Sequence, residues 1–257
     1  MADIHHLETK LKSLKLSGML DTLDLRISQA QRESLGFIQF LEFLLEDELQ
    51  RRVNKKLVTR VKRAHFEEQK TLEEFNFSFN PKIPAQYIND LATCQYIERK
   101  ESIILCGQVG VGKTHLAQAL GHQACRLGYK VLFTKASRFL SDLGGGRADG
   151  TRDDRMRTYL KPDLLILDDF ALKEFSTLQA EDLYELIDER CRKGSFVITS
   201  NRSPEDWYAL FPNPVIAESA LDRLLSRDHL IILTGKSYRS LLRPTQSQTL
   251  AKEVTNM

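Results

Sequence analysis

An α/β fold, with helices layered on a parallel sheet and an all-helical zone ahead of it, is what this sequence predicts. Three observations predict it. Between about residues 85 and 235, five short apolar runs alternate with helical patterns. A glycine-rich segment joins the first of those runs to the helix that follows it. Before residue 72 the apolar spacing is helical throughout, with no alternating strand pattern.

Size and composition bound the answer. The 257 residues suffice for one substantial core and a smaller appendage. Hydrophobic residues make up 42% and charged residues 28%, an ordinary globular balance, and a formal charge of +2 is too small to select a partner class. No run of 18 apolar residues occurs and MADIHHLETKLK lacks a signal-peptide core, so a cytoplasmic protein without a membrane partner is expected. Cys94, Cys106, Cys125 and Cys191 are far apart and lack metal-ligand spacing; they read as small hydrophobes in a reducing compartment.

The elements follow in order. Leu7, Leu11 and Leu14 recur at helical spacing, as do Phe37, Leu41 and Leu44, which makes 1–72 a helical N-terminal domain. LEEFNFSFNPKIP then alternates aromatic and polar residues, and Pro81 and Pro84 forbid a continuing helix, so 73–84 reads as a linker. Five runs in the 85–242 core read as strands covered on both faces: SIILC (102–106), KVLFT (130–134), DLLILDD (163–169), SFVITSN (195–201) and HLIIL (229–233). Helical patterns occupy 113–127, 137–143, 151–160, 178–193 and 216–227. The polar end, 243–257, reads as a flexible tail.

The glycine-rich segment carries the chemistry. Gly107-Gln108-Val109-Gly110-Val111-Gly112-Lys113-Thr114 fits G-x-x-x-x-G-K-[ST] at every fixed position, between an expected strand and an expected helix. Glycines let backbone N–H groups converge on phosphate oxygens, and the helix N-terminus adds unpaired donors and a favourable dipole. Lys113 is expected at the β- and γ-phosphates and the Thr114 hydroxyl on Mg²⁺; His115 follows directly in the nucleotide-binding stretch. DLLILDDF ends in two carboxylates, which a parallel sheet directs to its carboxyl edge, where ligands sit. Asp168 is assigned to the metal and Asp169 to the base that orients and deprotonates water. Asn201 ends the next run, where it contacts the γ-phosphate or the water, or simply starts a loop. Arg223 and Arg227 stand at i, i+4 on one helix face; from spacing alone a solvated basic face is the simpler reading.

Two basic segments are candidates for nucleic acid. RRVNKKLVTRVKR (51–63) has seven positive and no negative residues, with Arg52, Lys56, Arg60 and Arg63 on one helical stripe. The spacing does not separate a phosphate-binding face from a solvated one. The second, 137–161, gathers Arg147, Arg152, Arg155 and Arg157 around a glycine-rich turn read as flexible, with Asp149, Asp153 and Asp154 diluting the charge.

Taken together, LKLSGMLDTL, LEEFNFSFNP, YIERKESIILCGQVGVGKTHLAQALG, DLLILDDF, VITSNRSPEDW and ALDRLL…GKSYR resemble the AAA+ ATPases. The branch is the one with DnaA, DnaC-type helicase loaders and, most specifically, the IstB-like ATP-binding helpers of bacterial insertion sequences. The resemblance covers nearly the whole chain. It implies an αβα P-loop core, ATP with Mg²⁺ at an interface of a homo-oligomer, and a site completed by the adjacent subunit. Arg223 matches the family's arginine finger, Arg227 is a second candidate for it, and Arg239 of GKSYR matches a nucleotide-sensing residue. The chain departs from most AAA+ proteins in having Asp-Asp where they have Asp-Glu, and too few residues follow the last strand for a full C-terminal lid. In the initiator branch the region matching 137–161 lines the DNA channel, which makes it the first expected DNA contact.

The expected function is that of an ATP-dependent transposition helper that assembles on double-stranded DNA, selects or remodels a target, recruits a transposase, and disassembles on hydrolysis. The alternative is a DnaC-type helicase loader, separated by its partner and by a preference for single strands. A small-molecule kinase shares the phosphate loop, but no acceptor pocket is evident and the helical N-terminal zone would be unexplained.

Overall fold

A computed structural model describes residues 2–240; the expected tail at 243–257 lies outside the described residues. The chain divides into two compact units, Met1–Arg63 and Ala64–Met257.

The first unit comprises α1 (Ala2–Ser13), α2 (Ser17–Glu33) and the long α3 (Phe37–Ala64), which ends at the unit boundary. Its core is small: Leu11, Met19, Leu23 and Leu44 are buried, with Leu16, Leu20, Ile27 and Phe40 packed around them. Arg26 grips Asp47 through Nε (2.8 Å) and Nη2 (2.7 Å), tying α2 to α3 with a two-pronged pair. Phe37 and Leu41, of the helical pattern read from the sequence, are exposed.

The second unit opens with α4 (Ala85–Leu91) and α5 (Gln95–Glu98), then alternates strands and helices. These are β1 (Ser102–Gly107), α6 (Lys113–Leu127), β2 (Val131–Lys135), α7 (Ala136–Asp149), α8 (Arg152–Leu160), β3 (Leu164–Phe170), α9 (Thr177–Arg190), β4 (Ser195–Ser200), α10 (Pro204–Trp207), α11 (Pro214–Leu225) and β5 (Asp228–Leu233). All five expected strands form, in one parallel sheet of order β2-β3-β4-β1-β5. The continuous apolar runs are explained by burial on both faces. Ile104, Cys106, Leu165, Leu167, Phe196 and Ile198 face the layer of α7, α8, α9 and α11. The alternate residues face α6, where Gly121 lies against Ile166. From β1 the chain leaves by α6 to the far edge strand β2, and it later returns past β1 to β5. The carboxyl end of β1 is therefore where the winding reverses, the position where such sheets bind ligands.

One expectation is corrected. Gly144–Gly146 do not form a flexible turn but continue α7 to Asp149. A Cβ at Gly146 would stand 2.8 Å from the Arg152 Cα, so glycine permits α8 to pack closely on α7. Arg155 Nη1 then donates to both the Asp142 carbonyl and its carboxylate, at 2.9 Å each.

The thiols behave as core groups. Cys94, Cys106 and Cys125 are buried, no disulfide forms among the described residues, and burial pushes Cys94 and Cys106 up to about 12. Among the described residues no helix is long and apolar enough to cross a membrane.

Candidate nucleotide site

The phosphate loop begins where β1 runs out. Gly107 ends the strand at φ +149°, and a Cβ there would collide with the Leu233 carbonyl oxygen of β5. Gly110 (φ +84°) and Gly112 (φ +107°) complete the reversal, so Lys113 starts α6 with its backbone N–H groups facing the loop. Substituting Gly107 by Ala therefore forces both a left-handed Cβ and a backbone clash. We expect a stability loss of about 3 kcal/mol, read as a lower midpoint in urea unfolding, with retention of ATP lost in parallel.

Three strand ends converge on this loop. The Lys113 ammonium donates to the Gly107 and Gln108 carbonyls, both at 2.8 Å, and to Asn201 Oδ1 at 2.7 Å. Burial lowers its pKa, and the carboxylates of Asp169 and Asp168 oppose that fall. The Thr114 hydroxyl donates to Asp168 Oδ1 at 2.8 Å. Asp168 is buried, and loss of hydration raises its pKa, while the hydroxyls of Thr199 and Thr114 hold it down.

Asp169 occupies a different backbone from its neighbour. Leu167 pairs with Ile198 and Phe170 with Ser200, so two residues of β3 stand opposite Thr199 alone. In this bulge Asp169 has φ +55°. Its N–H leaves the strand ladder and donates to Thr199 Oγ1 at 3.0 Å. Thr199 was not among the sequence candidates; the one signal was a polar residue two places before Asn201 inside a buried strand.

Two further segments frame the loop. Phe75, from the stretch read as a linker, meets the His115 ring edge-on at 5.1 Å, and its ring would stand 2.7 Å from a Cβ at Gly112. His115 Nε2 lies 3.1 Å from the Thr71 carbonyl, and burial lowers its pKa. On the other side Tyr238 N–H donates to the Gly110 carbonyl at 2.8 Å, which carries Arg239 close enough to Lys113 to depress its pKa further. Asn80 joins the two segments through the backbone of Lys236.

The residues fit a magnesium-bound triphosphate: a glycine cradle that side chains would fill, an ammonium group, and a hydroxyl beside a buried carboxylate. Gln108, Val109 and Val111 supply the rest of the cradle's backbone.

Arg223 and Arg227 lie elsewhere. Ser102 N–H donates to the Arg227 carbonyl at 2.9 Å, so Arg227 sits where β1 begins, whereas the loop follows where β1 ends. Six residues of strand separate the two, roughly 17 Å, farther than an arginine side chain reaches. Contrary to the expected shared helix face, α11 ends at Leu225 and Arg227 falls beyond it, while Arg223 lies on α11, held by Ser219 and by Asp188 (3.0 Å) over the Tyr184 ring. Arg227 is exposed and makes no side-chain hydrogen bond among the described residues. Neither arginine side chain has a hydrogen bond to the phosphate loop among the described residues.

The other arginine cluster is internally paired. Arg147 and Arg152 both bind Asp182, itself 2% exposed, at 2.6 and 2.7 Å, and Arg152 also reaches Glu185. Arg155 pairs with Asp142 and Asp149, and Arg157 with Asp154. On α3, Arg52 pairs with Glu48 at 2.7 Å, Lys56 is exposed and Arg60 is half-buried.

The parallel sheet and the loop at the end of β1 define an α/β fold with a phosphate-binding loop. Its sheet resembles that of AMPPCP-bound DnaA from Aquifex aeolicus (TM-score 0.56, 21% identity, 66% of this chain and 51% of that one). It also resembles the DnaC helicase loader (TM-score 0.54, 20% identity, 64% and 96%). Residues 9–246 match the family model described as IstB-like ATP binding protein, and the chain belongs to that family. An insertion-sequence ATP-binding protein of Mycobacterium tuberculosis is 52% identical over 239 residues, 93% of this chain and 95% of that protein. The corresponding IS21 protein of Pseudomonas aeruginosa is 32% identical over 252 residues, 98% and 95%.

Proposed function

We propose that the protein is an ATP-hydrolysing helper of insertion-sequence transposition that assembles on duplex DNA and recruits a transposase. The observation that carries the reading is the Thr114–Asp168 hydrogen bond, which brings the phosphate loop and the acidic strand end together across 54 positions of sequence. Membership of a family named for ATP binding supports it, and so do the insertion-sequence names of the relatives.

In this reading the loop amides and Lys113 grip the triphosphate, with His115 and Arg239 at its flanks. Thr114 and Asp168 hold Mg²⁺, which when bound neutralises charge on the phosphate oxygens. Asp169 takes the proton of a water whose oxygen attacks the γ-phosphorus. The bond to the β,γ-bridging oxygen breaks, and ADP and phosphate leave. Asn201 orients the terminal phosphate or that water. Arg223 or Arg227 of one protomer completes the neighbour's site, a role supported by their distance from their own loop; Arg227 is the freer of the two.

Assembly then depends on nucleotide because ATP bridges two protomers and its hydrolysis removes the bridge. For DNA the basic stretch 51–63 is better supported than 137–161. Lys55, Lys56, Lys62 and Arg63 are exposed, whereas Arg147, Arg152, Arg155 and Arg157 each face a carboxylate. Electron microscopy of the protein with duplex DNA tests the reading. Ordered assemblies are expected with ATP and absent with ADP. Equal assembly in both, or none in either, contradicts it.

A further inference from the structure

One hydroxyl touches both acidic residues of the site, and the direction of its bonds is forced. Thr199 lies at the centre of the sheet with no exposure, on β4 beside the β3 bulge. Its Oγ1 receives the Asp169 N–H at 3.0 Å. A backbone amide only donates, so the hydroxyl's single proton is left for Asp168 Oδ1, 2.6 Å away. Asp168 Oδ1 thus accepts two hydrogen bonds, one from Thr199 and one from Thr114 at 2.8 Å. A one-way chain results, from the Asp169 amide through Thr199 to Asp168.

The chain fixes both carboxylates at once. With both hydroxyl bonds on Oδ1, the Asp168 carboxylate has a set rotation, and Oδ2 carries neither of them. At Asp169 the bulge costs the N–H its ladder partner, and left unpaired in the interior that group would favour a return to regular strand. Regular strand would move the Asp169 side chain to the other face, because side chains alternate. Thr199 replaces the lost partner and so keeps Asp169 at φ +55°. A valine has the same shape and neither bond.

We propose that Thr199 is a positioning residue for hydrolysis, aligning Asp168 and aiming Asp169 without itself touching the nucleotide. This rests on the ATPase reading above, from which its test is separable. Threonine 199 is changed to valine, serine and cysteine in the full-length chain, and turnover is measured with duplex DNA beside retention of ATP with magnesium. T199V should keep ATP binding within about threefold of the parent and lose ~100-fold in kcat, the scale of a misplaced catalytic group. T199S, which keeps the hydroxyl and loses only a methyl group, should stay within about threefold in kcat. T199C, whose thiol is a weak donor of similar size, should fall between them. A parent-like kcat in T199V overturns the proposal, as does a T199S that binds ATP but turns over as slowly as T199V. Should T199V fail to fold, T199C decides: parent-like kcat overturns the proposal and a reduced kcat with intact binding upholds it. If the unmodified chain neither binds nor hydrolyses ATP, the ATPase reading fails first.

Discussion

Lys113→Ala is expected to lose ATP retention by at least ~100-fold, about 3 kcal/mol, because in the proposed site the ammonium would make charge-assisted bonds to phosphate that no neighbour replaces. The same ammonium now spans the end of β1 and the end of β4, through Gly107, Gln108 and Asn201. Binding therefore exchanges carbonyl and amide partners for phosphate oxygens, and the burial that lowers its pKa rewards an anion placed beside it. The substitution leaves the glycine cradle intact, so the variant should fold and unfold in urea close to the parent. Nucleotide-dependent assembly on DNA should disappear together with binding. The check is equilibrium dialysis with labelled ATP and Mg²⁺, run beside DNA sedimentation. Parent-like assembly by this variant would separate the loop from the assembly it is held to control.

Asp169→Asn should do the opposite, sparing binding and removing turnover. Asparagine accepts a left-handed backbone as readily as aspartate, so the bulge at φ +55° survives the change. The amide has no basic oxygen for the water's proton, and loss of a general base costs ~10³-fold in kcat. ATP retention should be unchanged. Assemblies on DNA should then outlast exhaustion of free ATP, where the parent's disperse. Phosphate release and light scattering, followed together, read the two effects. Rapid dispersal by this variant would mean that hydrolysis is not what ends assembly.

Much of the core was legible because its signals are local. Each strand is a continuous apolar run and each helix a period, and the loop motif needs only eight consecutive residues. What escaped was long-range. Arg147 and Arg152 look like an open basic patch until Asp182, some thirty residues later, is folded against them. Gly144–Gly146 look like a hinge until Arg152 is seen to need the space that Gly146 leaves. The two aspartates of DLLILDDF differ only through a bulge set by a threonine on the adjacent strand. Phe75 and Asn80 read as linker because nothing in LEEFNFSFNP reveals that Phe75 lies beside the phosphate loop and Asn80 beside the Gly235–Lys236 backbone.

The central claim, that a triphosphate held by one protomer is completed by an arginine of the next, is tested most directly by mixing. Asp169→Asn and the double variant Arg223→Ala/Arg227→Ala should each be nearly inactive as ATPases. Mixed in equal amounts on duplex DNA, they form some interfaces with an intact acid on one side and an intact arginine on the other, and roughly a quarter of the parent rate should return. A mixture as slow as its components, although both bind ATP and assemble on DNA, would contradict the account.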